Sequence, residues 1–141
     1  MESMLLDDWM TTPDVRLHSH IIADAADQVY HRHTFFEIFY ILDGSATHII
    51  NETRERITAG DIVFLNLNDS HGFYRNAKEN LVHRDIVIAP AEFKVACDFL
   101  SPTLFREYTE DAKRIRKTNI AVELIGELEN AAKRIINIPA V

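Results

Sequence analysis

The stretch HRHTFFEIFYILDG, residues 31–44, decides the fold. Phe35, Phe36, Ile38, Phe39, Tyr40 and Ile41 are aromatic or β-branched, the side chains that pack well on a pleated surface. The run closes on Asp43-Gly44, a pair favoured in two-residue hairpins, which predicts a strand that turns back there. His31, His33 and Glu37 share parity, and in a regular strand residues of equal parity face one side. Phe39 and Ile41 continue that side. The stretch therefore reads either as an ordinary buried strand or as the mouth of a metal site.

Working outward, the same short-strand rhythm continues. Upstream, Arg16–Ala23 alternates loosely and reads as a strand. Downstream, residues 45–57 give a return strand, a turn at Asn51-Glu52 and a further short strand. Ile62–Leu65 is an apolar strand, a polar turn follows, another strand starts at His71, and residues 81–89 (LVHRDIVIA) form the last. Short strands at even spacing with turns between them predict an antiparallel barrel or sandwich.

The character changes near Pro90. Residues 90–100 place Phe93, Ala96, Cys97 and Leu100 on one helical face. Residues 101–116 predict a second helix, with Ser101 as N-cap and Pro102 at its first position. The third runs from Asn119 to about Ile136. Its Ala121, Leu124, Leu128, Ala131, Ile135 and Ile138 are spaced three, four, three, four, three, a short heptad seam whose partner is either the barrel or the same helix of a second chain, the heptad spacing favouring a homodimer. The expected organisation is one compact, mainly β unit: a barrel with an N-terminal arm over residues 1–90, and a helical dimerisation or linker segment over 91–141.

Composition narrows the function. The chain has 141 residues, 47% hydrophobic and 26% charged, enough for one real core. A net charge of -7 is poorly suited to gripping phosphate backbones, so direct nucleic-acid binding by this chain is not expected. Lys113, Arg114, Arg116 and Lys117 form a local basic cluster, read as capping the second helix or facing another domain. The single cysteine, Cys97, excludes an internal disulfide and fits a reducing cytoplasm. No signal peptide or membrane span is read, so the expected location is cytoplasmic.

Imidazole and carboxylate groups suit a borderline divalent metal such as Zn, Ni, Mn or Fe. His31, His33 and Glu37 need a fourth ligand from another strand, and His71 is the natural candidate. An isolated His-x-His pair is weak evidence on its own. His18 and His20 form one too, and lacking a supporting acid they read as plain strand residues.

The surroundings of the first cluster resemble the cupin superfamily of small jelly-roll barrels. The first cupin motif is histidine, one residue, histidine, three residues, glutamate, six residues, glycine; His31, His33, Glu37 and Gly44 match each fixed place. The second runs from a glycine to a histidine eleven residues on, matched by Gly60 and His71. Ala25, Asn66, Asn68 and Arg75 depart from the pattern at turn-shaping positions. The resemblance implies a cupin barrel followed by C-terminal helices, with His31, His33, Glu37 and His71 as metal ligands.

The barrel and helical tail together look like the amino-terminal domain of the arabinose-regulator (AraC) family of bacterial transcription factors. That resemblance implies a small polar effector, sugar-like, bound in the barrel, and dimerisation through the helices. DNA would be contacted only through a helix-turn-helix domain, which this chain lacks, so it reads as a fragment or an isolated sensor. The effector site is expected around His31, His33, Glu37, His48, His71 and Arg75, lined by Ile41, Ile62, Phe64 and Phe73. Tyr40 has the opposite parity and reads as packed under a helix, Trp9 as part of the arm. His83 and Arg84 are adjacent on the last strand, and either could face the pocket, the parity of that strand being open. No catalytic residue is assigned; the runner-up reading is a stand-alone metal-dependent cupin enzyme of isomerase or dioxygenase type.

Overall fold

A computed structural model describes residues 2–4, 15–23, 28–75, 78–111, 116–134 and 138–139. At several strand positions, His31 and His33 among them, only the backbone placement is described. The strands are β1 (Glu2–Met4), β2 (Val15–Ala23), β3 (Gln28–His33), β4 (Phe36–Ile50), β5 (Thr53–Thr58), β6 (Asp61–Leu65), β7 (His71–Tyr74), β8 (Leu81–Ile88), β9 (Lys117–Asn119) and β10 (Ile138–Pro139). The helices are α1 (Pro90–Leu100), α2 (Leu104–Glu110) and α3 (Val122–Ala132).

β4 organises the barrel. Its first half pairs antiparallel with β8 (Phe36↔Ile88 to Ile41↔His83) and with β6 (Glu37↔Leu65 to Tyr40↔Ile62). Its second half pairs with β5 (Ser45↔Thr58 to Ile50↔Thr53) and β7 (Thr47↔Tyr74 to Ile50↔His71). Asp43-Gly44 is therefore not a hairpin. The strand continues through it, shifting register between Ile41 and Asp43, and moves from one sheet to the other. Gly44 makes the crossing possible: its φ is 86°, and a Cβ there would lie 1.7 Å from the Asn80 carbonyl oxygen. That carbonyl accepts from the Ser45 N–H at 3.0 Å. The hairpin lies at Asn51-Glu52, where both φ angles are positive (47° and 69°), the pattern of a two-residue turn matched to strand twist.

Both faces of the first half of β4 are covered, which explains its apolar run from Ile38 to Leu42. Glu37, Phe39 and Ile41 point into the barrel with Val63, Leu65, Phe73 and Leu81. Phe36 points outward onto α1 and α2, stacked on Phe93 at 4.1 Å with Phe105 and Tyr108 edge-on. Tyr40 points outward beneath α3, against Ile125 and Ala132. Ile62 and Phe64, expected in the lining, are on this outer layer too: Ile62 packs with Tyr40 and Ile125, and Phe64 meets Tyr108. Val63 and Leu65 take the interior places.

The helices depart from expectation at their ends. α1 has the expected bounds, but only Phe93 and Cys97 are buried. Leu100, at its last position where the chain turns toward α2, is exposed, as is Ala96. Ser101 closes α1, its N–H bonding the Cys97 carbonyl at 2.9 Å, and Thr103 takes the N-cap place of the next helix. α2 starts instead at Leu104 after Thr103 and ends at Glu110. α3 starts at Val122 because Lys117–Asn119 are drawn into β9 beside β6, where Asn119 Nδ2 donates to Asp61 at 2.9 Å. It ends at Ala132, and Ile138 pairs with Leu17 at the edge of β2, which removes it from the heptad seam. Ile135 lies outside the described residues. Of the basic cluster, Arg116 pairs with Asp69 at 2.8 Å and Lys117 sits in β9 with Glu55 at 3.7 Å, while Lys113 and Arg114 lie outside the described residues.

Candidate functional site in the barrel interior

Alternation along four stretches of strand brings five ionisable side chains into the apolar interior. β4 contributes Glu37 and His48, β7 contributes His71, and β8 contributes His83 and Asp85; none is more than 3% exposed. They form a chain. His48 Nε2 meets His71 Nδ1 at 3.2 Å, and His71 Nε2 lies 3.6 Å from Glu37 Oε2. Glu37 is hydrogen-bonded to Asp85, whose Oδ1 lies 2.6 Å from His83 Nδ1. Phe39 and Phe73, edge-to-face at 5.3 Å, lie against the three imidazole rings.

This environment shifts each group by an identifiable cause. Burial, then the neighbouring Asp85 charge, pushes the Glu37 carboxyl well above the usual carboxylate range, toward the neutral acid. Burial pulls His48 down to about 4, so its imidazole is neutral at physiological pH. Burial also opposes protonation of His83, but Asp85 and Glu37 outweigh it and raise its pKa. Two ring nitrogens keep hydrogen-bonding capacity in the interior. Among the described residues His83 Nε2 has no hydrogen-bond partner, and His48 Nδ1 lies 3.7 Å from the Glu55 carboxylate, beyond hydrogen-bond distance. Buried polar atoms of this kind are costly unless a water, an ion or a ligand satisfies them.

The structure sorts the expected site residues. Glu37, His48 and His71 come together as anticipated. His31 and His33 are in β3, and His31 stands opposite His71 in register, but their side chains lie outside the described residues. A bend at Thr34-Phe35 separates β3 from β4, so one regular strand does not carry all of residues 31–37 and the parity argument does not bridge the gap. Arg75 is outside the buried chain, in the β7–β8 connection, where Nη1 donates to the Glu79 carbonyl at 3.4 Å. Tyr40 is on the outer face, as its parity indicated, and Trp9 lies outside the described residues. His83, not Arg84, faces inward. Asp85 was missed, although Leu81, His83, Asp85 and Val87 share one parity and are all buried.

For a metal, Glu37 and His71 approach each other as two ligands of one ion would, and a carboxylate and an imidazole are suitable donors. Among the described residues no group of three His, Cys, Asp or Glu side chains could hold a metal ion, so the remaining donors would have to be His31 and His33 on β3.

The model of the family described as the AraC-like ligand binding domain matches residues 18–136. The chain belongs to that family. Among curated relatives, the HTH-type transcriptional activator RhaR of Klebsiella pneumoniae is 27% identical over 108 residues, covering 74% of this chain and 38% of the relative. RhaR of Shigella flexneri serotype 5b is 29% identical over the same length and coverage. The chain thus spans well under half the length of these activators, none of which is named as an enzyme. Among solved structures, ToxT from Vibrio cholerae O395, bound to (E)-4-(8-methylnaphthalen-1-yl)but-3-enoic acid, superposes with a TM-score of 0.60 at 16% identity. The match covers 89% of this chain and 50% of ToxT, so this AraC-like domain shares its fold from barrel through helices. No helix among the described residues is long and apolar enough to cross a membrane.

Proposed function

We propose that this AraC-like domain is the effector-sensing and dimerisation part of a cytoplasmic bacterial transcription regulator, and that its effector is a small polar molecule, a sugar or sugar derivative first. The observation that carries this reading is the buried chain His48–His71–Glu37–Asp85–His83, with His83 Nε2 unpartnered among the described residues, inside an apolar barrel. A few convergent polar groups in an apolar surround are the usual build of a small-ligand site. A divalent metal at His31, His33, Glu37 and His71 belongs to the same proposal; it would present a Lewis-acidic centre to a hydroxyl or carboxylate of the effector. The relatives' description as helix-turn-helix activators supports DNA contact through a separate domain.

Dimerisation finds support on α3. Leu124 is 50% exposed and Ala131, one heptad further on, is exposed on the same side of α3, while Ile125 and Ala132 face the barrel. Two members of the expected heptad seam are thus open to a copy of α3 in a second chain.

The test is thermal denaturation against a panel of neutral sugars, amino sugars and carboxylic acids, with the ToxT-bound acid included. Binding to the folded state raises the melting temperature with ligand concentration. The compound should be recovered intact by mass analysis. A panel member turned over many times would instead favour an enzyme, and no shift with any member sets the sugar reading aside.

A further inference from the structure

β8 alternates between two compartments. His83 and Asp85 face the barrel interior, and Arg84, between them, faces out. Directly opposite Arg84 on β4 stands Tyr40, itself between the inward-facing Phe39 and Ile41. Both outward side chains converge on one carboxylate of α3. Arg84 Nε and Nη2 donate to Glu129 Oε1 and Oε2 at 2.5 and 3.0 Å, and the Tyr40 hydroxyl donates to Oε1 at 2.6 Å. Arg84 Nη1 also donates to Ser19 Oγ at 2.9 Å, which ties β2 into the same knot. Two parallel bonds from a guanidinium fix the carboxylate in direction as well as distance.

Among the described residues, the rest of the α3 anchor is one small apolar cluster in which Ile125, Leu128 and Ala132 meet Tyr40, Leu42, Ile62, Ile86 and Ile120. The helix is 11 residues long, and only Ile125 and Ala132 are buried, with Leu128 partly covered. A helix of that length is marginal in water on its own and depends on docking. The side chains of Arg84 and Glu129 are 7% and 13% exposed, so water competes poorly for their bonds while α3 is docked.

We propose that Arg84, Tyr40 and Glu129 form a clamp through which a change inside the barrel is read out at α3. Arg84 is covalently adjacent to both His83 and Asp85. A ligand that draws either side chain toward itself shifts the strand between them, and the two-pronged contact with Glu129 tightens or opens. α3 then docks or frays, carrying its exposed Val122 and Leu124 with it. The clamp is thus a positioning device. It rests on the reading of the barrel interior as the effector site and adds the route by which occupancy leaves that site.

The test needs no effector. Hydrogen exchange of residues 122–132 is measured in the native chain, in Glu129→Gln, in Asp85→Asn, and in the double variant. Glu129→Gln keeps a side chain that can accept from Tyr40 but loses the charge. It should speed α3 exchange about tenfold, equivalent to about 1.4 kcal/mol, while β4 and β6 stay as protected as in the native chain. Asp85→Asn, a change wholly inside the barrel, should alter α3 exchange at least threefold in the native background and leave it unaltered in the Glu129→Gln background. His83→Gln serves as the second interior variant, read in the same way. Unchanged α3 exchange in Glu129→Gln overturns the clamp, as do interior effects that persist undiminished without Glu129. A ligand panel that gives no thermal shift bears on the effector reading alone, and the variant cycle stands or falls separately.

Discussion

Glu37→Gln separates the two states in which the interior can exist. Glu37 is 3% exposed, hydrogen-bonded to Asp85 and 3.6 Å from His71. Burial and the Asp85 charge drive it toward the neutral acid. Two carboxylates in contact in an apolar interior share a proton more readily than they both ionise. If Glu37 carries that proton, it donates to Asp85, and a glutamine amide of nearly the same shape can donate in its place. The substitution then removes neither a charge nor a donor, and metal-free protein should change by less than about 1 kcal/mol, within the range of one ordinary hydrogen bond. Glu37→Leu, by contrast, deletes the donor and leaves the Asp85 carboxylate short of a partner, at a cost of about 1–3 kcal/mol. In urea, with a slope of roughly 1–3 kcal/mol per molar, 1 kcal/mol moves the midpoint by about 0.3–1 M, which circular dichroism resolves. A loss of about 3–5 kcal/mol in metal-free Glu37→Gln, the size expected for one member of a broken buried ion pair, would refute the protonated state.

The same variant answers the metal question with the opposite sign. A divalent ion at His31, His33, Glu37 and His71 requires the carboxylate, because a ligand must be deprotonated to bind. Addition of Zn, Ni, Mn or Fe should then raise the urea midpoint of the native chain by mass action and leave Glu37→Gln nearly unmoved. Equal responses from both proteins, or none from the native chain together with no metal in elemental analysis, would remove the ion from the site. Glu37→Gln is thus expected to be silent without metal and defective with it.

Three further outcomes follow from single contacts. Gly44→Ala places a Cβ 1.7 Å from the Asn80 carbonyl at φ 86°, so a loss well beyond the roughly 1–2 kcal/mol of left-handed strain is expected in thermal denaturation, and an unchanged melting temperature would contradict the strand crossing. Leu124→Glu charges a side chain that is 50% exposed and should convert dimer to monomer in sedimentation velocity with little change in melting; a dimer that persists places the interface elsewhere. The hydrogen bond from Arg84, with that from Tyr40, holds Glu129 below the usual carboxylate range, so its contribution is present above the unfolded value of about 4.3 and lost as pH falls through the lower folded value. The stability difference between native chain and Glu129→Gln should therefore shrink below about pH 4; a difference that stays flat down to pH 2 would show that the ionised pair does not hold α3.

What the sequence made legible, and what it hid, has a common physical origin. Asn51-Glu52 and the ends of α1 are set by residues close in the chain, and local reasoning finds them. Asp43-Gly44 misleads because a hairpin and a crossing strand ask the same of glycine, a positive φ. The deciding contact is the Asn80 carbonyl on a distant connection. Ile62 and Phe64 are expected in the lining, but nothing in the all-apolar run Ile62–Leu65 distinguishes them from Val63 and Leu65. Here α2 and α3 cover the outside, so both faces of β6 are apolar and alternation no longer tells in from out. The same second layer concealed Asp85. Three consecutive polar residues, His83, Arg84 and Asp85, look like a solvated strand end. In fact each is buried: two satisfy the interior, and the one between them meets Glu129, 45 positions along the chain. A polar run inside a β-branched strand is therefore explained neither by solvent nor by the barrel alone. It requires a compartment on each side of the sheet, with an acid on a later helix answering the central cation. That arrangement puts the chemistry of the interior and the anchor of α3 on neighbouring residues of one strand.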